Sequence, residues 1–407
     1  QFSPTLENYP ADEVEIRRIA DEVWGPCDGK TITENRFGQG RIVWGKSYAE
    51  VFAEAKLAPD FAYSSGNALL NTIHRASKEA DWYFVASCEK SSVETVCAFR
   101  VTGKRPEFWH PDTGEIEPAA WYRIENDQTF VPMRLDPCGS VFVVFRSPAE
   151  DGIVSVARDG KPIANEQKSE GLPAFKVSGK AGEVALTAFA PGRYEFGTAA
   201  GKKADAAIEL PNPLTLEGGW NVQFDPKWAG PTAPVRFEQL EDWTKRPEEG
   251  IKYFSGTAVY EKEFEIPAGY TGAGRRLWLD LGRVEVIAEL EVNGKNLGIL
   301  WKPPFAADIT GAIQPGKNTV RVKVTNLWPN RLIGDEHLPA DCEYTSEGAI
   351  KAFPEWLTKK TPRTSGRVTF TTWRHWKAED PLLPSGLLGP VRLVPASLET
   401  LNFKKEN

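Results

Sequence analysis

The sequence predicts a mainly β protein: two β-sandwich modules preceded by a small α/β segment. Three observations carry this. Up to about residue 60 the apolar residues recur at helical spacing. From about residue 66 they recur in short runs separated by turn residues, as strands do. The 407 residues also include 35 glycines, 31 prolines and 14 tryptophans, a mix that suits tightly turned sandwiches and proteins that handle sugars. The expected division is 1–62 for the α/β segment, 63–212 for the first sandwich and 213–407 for the second.

The elements follow in order. "ADEVEIRRIADEVW" places Ile16, Ile19, Ala20 and Val23 at i, i+3, i+4 and i+7, an amphipathic helix. "GRIVWG" predicts a short buried strand. Ser47 and Glu50 form an S-x-x-E capping box that opens the helix "SYAEVFAEAKL". A helix-like run, "NALLNTI", precedes His74. "DWYFVASC", "VETVCAFRV", "EFWHPDTGEIEPA", "TFVPMRL" and "GSVFVVFR" then predict strands, with a turn at Pro111-Asp112-Thr113-Gly114. The segment 150–212 predicts further strands, with a turn at Asp159-Gly160. In the last module "RVEVIAELEVNGKNLG" alternates Val284, Val286, Ala288, Leu290 and Val292 with polar neighbours and ends in a type I′ hairpin at Asn293-Gly294. "RRLWLDLG" and "NTVRVKV" alternate in the same way.

Bulk properties exclude several classes. A net charge of −7 does not suit a nucleic-acid surface, which is basic. No apolar run approaches the roughly 20 residues that span a bilayer. The opening "QFSPTLENYP" has neither a basic start nor an apolar stretch, so no signal peptide is expected there. Met133 is the sole methionine, from which processing or truncation ahead of Gln1 is expected. Five cysteines without metal or CxxC spacing are expected to be mostly free thiols.

"YFSGTAVYEKEFEIP", "LWLDLGRVEVIAELEVNGKNLGILWKPPFAADIT" and "GKNTVRVKVTN" resemble the sugar-binding, galactose-binding-like jelly roll of family 2 glycoside hydrolases. "NLWPNRLIGDEHLP" and "PLLPSGLLGPVRL" narrow the resemblance to family 106, the α-L-rhamnosidase-like enzymes. "GRIVWG", "IHRASKEADWYFVAS" and "FRVTGKRPEFWHPDTGEIEP" resemble the middle of the same enzymes, where an amidotransferase-like lobe gives way to a β-sandwich. The resemblance covers about 13–394, weakly over 150–212. In that family a (β/α)8 barrel carrying the catalytic carboxylates precedes these regions, and these 407 residues have no room for it. The resemblance therefore implies a non-catalytic C-terminal portion of a rhamnosidase, with carbohydrate and the barrel as partners and a periplasmic or secreted location. A free-standing carbohydrate-binding protein, or a complete glycosidase with its own carboxylate pair, are the alternatives. No nucleic-acid or membrane partner and no cofactor are expected, although a calcium site of loop oxygens would leave no mark in the sequence.

The candidate site centres on "TNLWPNRLIGDEHLP". Glycoside hydrolysis needs two carboxyl groups across the scissile bond. Asp335 and Glu336 are adjacent and, if the segment is extended, point opposite ways, so no catalytic residue is assigned. Glu285, Glu289 and Glu291 read as the solvated face of a strand. Binding suits the stretch better: Trp328 offers a stacking face, and Asn330, Arg331 and Asp335 offer paired hydrogen bonds to vicinal hydroxyls. A rigid corner packed on itself, a lip over a neighbouring site and an autonomous site all remain open. Pro329 restricts Trp328 to extended geometry, so the segment is expected to leave the sheet and project. Trp301, and His375 on a strand "TTWRHW", complete the candidate sugar contacts; core or structural roles stand beside them. Four scattered histidines give no metal-ligand spacing.

Overall fold

The structure, a computed structural model, describes residues 7–64, 68–163, 168–169 and 171–405. The chain divides into two compact units at residue 62, taken here one at a time.

In the first unit the helix Ala11–Trp24 forms as predicted, but its apolar stripe is only partly covered and Ile19 stays exposed. The helix Tyr48–Glu54 starts at Ser47 with both bonds of the capping box present. "GRIV" differs from expectation. Gly40–Val43 is a half-exposed strand in an antiparallel hairpin with Glu34–Phe37, not a buried one. Gly38, at φ +58°, permits the two-residue turn between them.

The second unit is β throughout its core. In its first sandwich, Ser92–Phe99 pairs with Gln128–Leu135 in one sheet. Leu70–Ala76, Asp81–Ser87, Ser140–Pro148 and Lys104–Trp109 form the other. The helix-like run before His74 is thus a strand edge, its partner strand overriding local pattern. Tyr83 and Phe145 from one sheet meet Phe99 from the other, with ring centroids 4.9 and 5.4 Å from it, which fastens the layers.

The segment 150–212 builds strands as predicted, but they have a core of their own, where 63–212 was expected to form one sandwich. Ile153–Arg158, Gly192–Thr198 and Lys202–Ile208 form one sheet; Phe175–Lys180 and Glu183–Ala188 lie in the other. Ile153, Val184, Leu186, Tyr194 and Phe196 are buried between them.

The last sandwich faces two sheets across a large core that includes Trp220, Phe224, Trp243 and Tyr260. One sheet runs Val235–Phe237, Trp220–Phe224, Thr257–Glu265, Lys317–Thr325, Ile287–Val292, Lys295–Leu300. Leu277, Leu279, Leu281, Val320, Val322 and Val324 are all fully buried, as the alternation predicts. The turn falls at Asn293-Gly294, both with positive φ. The strand expected over 284–292 is interrupted at Val286, and Arg283–Glu285 pairs instead with Gly386–Gly389. In the second sheet, Arg392–Leu401 pairs with Arg275–Asp280 along its first half and with Glu183–Ala188 along its second. One strand therefore belongs to both the middle and the last sandwich.

All five cysteines are free. Among the described residues, no helix is long and apolar enough to cross a membrane, and no group of three His, Cys, Asp or Glu side chains is placed to hold a metal ion.

Candidate functional site

Register alone gathers one set of loops. Thr257 pairs with Thr325, Thr325 with Ile287, Ala288 with Leu300, and Phe224 with Ala258. The segments after Phe224, Leu300 and Thr325, and those before Thr257 and Ile287, thus leave the sheet at the same end. Trp228, Trp301, Leu327 and Trp328 lie on these segments, and all are exposed. Trp228 and Trp328 meet edge to face at 5.1 Å.

The segment after Thr325 is not the extended, projecting loop that was expected. Pro329–Asp335 is a helix, and Trp328 has helical φ and ψ. Proline at the first helical position loses no hydrogen bond, and tertiary bonds outweigh the pre-proline preference of Trp328. Ser255 Oγ donates to Leu327 O at 2.8 Å and accepts from Arg331 N at 3.0 Å. Asn330 is buried; its Nδ2 donates to Leu383 O and its Oδ1 accepts from Leu383 N. Gly334 is required by packing. A Cβ there would lie 2.5 Å from Arg331 Nη2 and 2.6 Å from Tyr253 Cβ.

The helix brings Arg331 Nε to 3.0 Å from Asp335 Oδ1, with side chains 7% and 2% exposed. Asp335 Oδ2 accepts from Val368 N, Thr369 N and Thr369 Oγ1. Glu336 follows, held by Arg367 Nη1 at 2.9 Å and by Arg374 Nη2. Asp341 accepts from Arg363 Nε at 2.6 Å and from Ser365 Oγ. Burial opposes ionisation of Asp341, but these bonds outweigh it and hold the carboxyl below the usual aspartate range. Burial also pushes the Tyr344 hydroxyl up.

These contacts organise a long excursion, 336–385, with little regular structure. An excursion of that length inside an ordered domain is usually functional. Its inner crevice, lined by Glu336, Asp341, Tyr344, Arg367 and Thr369, has about 20 Å³ free, room for about one water. Its outer face exposes Phe353, Leu357 and Trp373. "TTWRHW" is not a strand: only Trp373 makes a bridge, to Ala349. Trp373 and His375 are both exposed, with ring centroids 6.3 Å apart.

The six predicted contacts therefore divide. Trp328, Trp301 and His375 are exposed, whereas Asn330, Arg331 and Asp335 are buried and bonded within the corner. Glu289 is paired with Lys323 at 2.9 Å, and Arg283 with Glu285 at 2.8 Å. Sequence reasoning missed two features. Arg363 answers Asp341, and Arg367 and Arg374 answer Glu336, a pairing signalled only by three arginines between residues 342 and 385. Lys302 Nζ meets Asp112 Oδ2 at 2.7 Å, joining the last sandwich to the predicted turn at Pro111-Asp112-Thr113-Gly114.

Comparison with known proteins follows this geometry. Residues 1–124 match the family model described as alpha-L-rhamnosidase, glycoside hydrolase family 106. The structure of a rhamnosidase from Novosphingobium sp. PP1Y aligns over 95% of this chain and 29% of that one, at 30% identity and a TM-score of 0.63. A protein of Formosa agariphila named "Putative beta-glucuronidase" is 28% identical over 96% of this chain and 47% of its own length. The chain thus spans about half of that curated relative. The sandwiches and the family match together define a relative of the glycoside hydrolases. Within them, the chain is related to the family 106, α-L-rhamnosidase type.

Proposed function

We propose that the chain is a non-catalytic C-terminal portion of an enzyme acting on α-L-rhamnosides, and that it supports an active site on a (β/α)8 barrel outside these residues. The observation that carries this reading is the alignment of nearly the whole chain with less than a third of a solved rhamnosidase. The state of the acids agrees with it. Asp335, Glu336 and Asp341 are each engaged by arginine, an arrangement that suits holding a loop more than flanking a glycosidic bond.

The barrel would meet the sandwich end that exposes Trp228, Trp301, Leu327 and Trp328, with Phe353 and Trp373 on the excursion beside it. Apolar side chains gathered at one end of a domain mark an interaction surface. Trp328, Trp301 and His375 are the residues placed to touch sugar there, as part of a lip, while Asn330, Arg331 and Asp335 stiffen the corner behind them. Such an enzyme would work in the periplasm or outside the cell, on carbohydrate.

The test is hydrolysis of an aryl α-L-rhamnoside by this chain alone and by a longer protein that includes the barrel. Turnover only in the longer protein is expected. Turnover by this chain, abolished by an acid-to-amide change within it, would favour a complete glycosidase. The same exposed aromatics suit a free-standing carbohydrate-binding protein, which a sugar array on this chain would reveal as saturable binding without the barrel.

A further inference from the structure

Two of the five thiols face each other across a sheet. In the first sandwich Asp81–Ser87 runs antiparallel to Ser140–Pro148, with Ala86 opposite Ser140. The pairing continues past these partners. Ser87 N donates to Gly139 O at 2.9 Å, and Cys138 N donates to Glu89 O at 2.8 Å. Two residues beyond Ala86 and Ser140, the same register sets Cys88 opposite Cys138. Directly opposed residues of an antiparallel pair have Cα atoms about 4.5–5.5 Å apart, inside the roughly 4.4–6.8 Å that a disulfide spans.

Both cysteines lie on the open side of the sheet. Tyr83, Val85 and Ser87 are buried in the core, so Cys88 points outward with Ala86. Asn71, which pairs with Ala86, holds it there by donating from Nδ2 to Cys88 Sγ at 3.1 Å. On the facing strand Val141 and Val143 are buried, and Cys138 falls with Ser140 on the outer side. Both cysteines are exposed. The backbone of Cys138 is fixed by the turn 136–139, which Gly139 N closes on Asp136 O at 2.8 Å. The other thiols are poorly placed to compete. Cys97 follows Cys88 closely in sequence but is fully buried in the opposite sheet. Cys27 is buried in the first unit, and Cys342 is half-buried in the excursion.

We propose that Cys88 and Cys138 form a redox-sensitive staple, which a small disulfide such as oxidised glutathione closes into a cross-strand bond. The exchange has two steps. One cysteine thiolate attacks a glutathione sulfur, giving a mixed disulfide and one glutathione thiolate. The second cysteine thiolate attacks the cysteine sulfur of that mixed disulfide and expels the other glutathione. Two protein thiols are oxidised, one glutathione disulfide is reduced, and the two cysteine protons end on the two glutathione thiols. The bond closes the segment 89–137, which supplies strands to both sheets of the first sandwich, and so restricts the unfolded chain. The inference uses none of the residues of the rhamnosidase reading and stands if that reading fails.

The test incubates the full chain in buffers of rising oxidised-to-reduced glutathione ratio, followed by acid quench, unfolding and alkylation. The five alkylated thiols of the reduced protein are expected to fall by two, with an intact mass lower by two hydrogen atoms. Peptide mapping should join Cys88 to Cys138, Tm should rise by several degrees, and dithiothreitol should reverse both. Cys88→Ser and Cys138→Ser alter exposed positions, and each should leave the remaining partner carrying one glutathione and no internal link. Five alkylated thiols at every ratio, glutathione adducts on the wild-type protein in place of a link, or a link to Cys97 or between two chains would each overturn the proposal. So would a Cys88–Cys138 link that leaves Tm unmoved.

Discussion

Replacing Asp335 with alanine tests the corner most directly. The carboxylate is 2% exposed and faces a guanidinium that is 7% exposed. Removing it strands a buried cation and leaves two backbone N–H groups, of Val368 and Thr369, without their acceptor. Breaking one side of a buried pair costs about 3–5 kcal/mol. At roughly 2–4 °C per kcal/mol for a domain of this size, Tm should fall by about 6–20 °C. Arg331→Met should be milder, at about 2 kcal/mol, since the carboxylate keeps its three donors on Oδ2. Urea unfolding of the full chain, followed by tryptophan fluorescence, measures both. A loss below about 1 kcal/mol for Asp335→Ala, or a greater loss for Arg331→Met, would refute the view that this corner is held from within.

Further outcomes are expected. Asn293→Ala should cost about 1–2 kcal/mol in the same assay: the residue sits at φ +50°, and its side chain bonds Ala312 O, Asn318 Oδ1 and Thr319 N. Asp341 titrates below its ordinary value in the folded chain, so the unfolded chain binds the proton first. Its contribution should be complete above about pH 4 and fall away as pH drops through the lowered folded value. Asp341→Asn should flatten that acid limb. A thiol reagent at pH 8 should modify the exposed Cys88 and Cys138 in native protein, while Cys97, whose thiol burial pushes up to about 12, should react only after unfolding.

Strand alternation was legible wherever one sheet face is buried, because a period of two leaves no other register that hides Val320, Val322 and Val324 together. The Asn293-Gly294 turn and the Ser47–Glu50 cap were legible for a related reason: each is a local bond that needs no tertiary partner. The helix Pro329–Asp335 was not. Local rules favoured an extended Trp328, and what decides its conformation is Ser255, which lies more than 70 residues away in sequence. The same holds for the candidate site. The sequence showed which side chains have binding chemistry, but not that Asn330 spends its own on Leu383, Arg331 on Asp335, and Asp335 on Arg331, Val368 and Thr369.

The strand Arg392–Leu401 has a consequence for how this protein is made. Val184 pairs with Leu401, on the order of 200 residues later, and contacts that distant form late. During synthesis the edge of Glu183–Ala188 must wait, unpaired, until that strand leaves the ribosome. An open edge is a template for wrong pairing between chains. Cells expressing this protein fast or hot should therefore lose it to aggregation on the nascent chain, before any finished molecule unfolds.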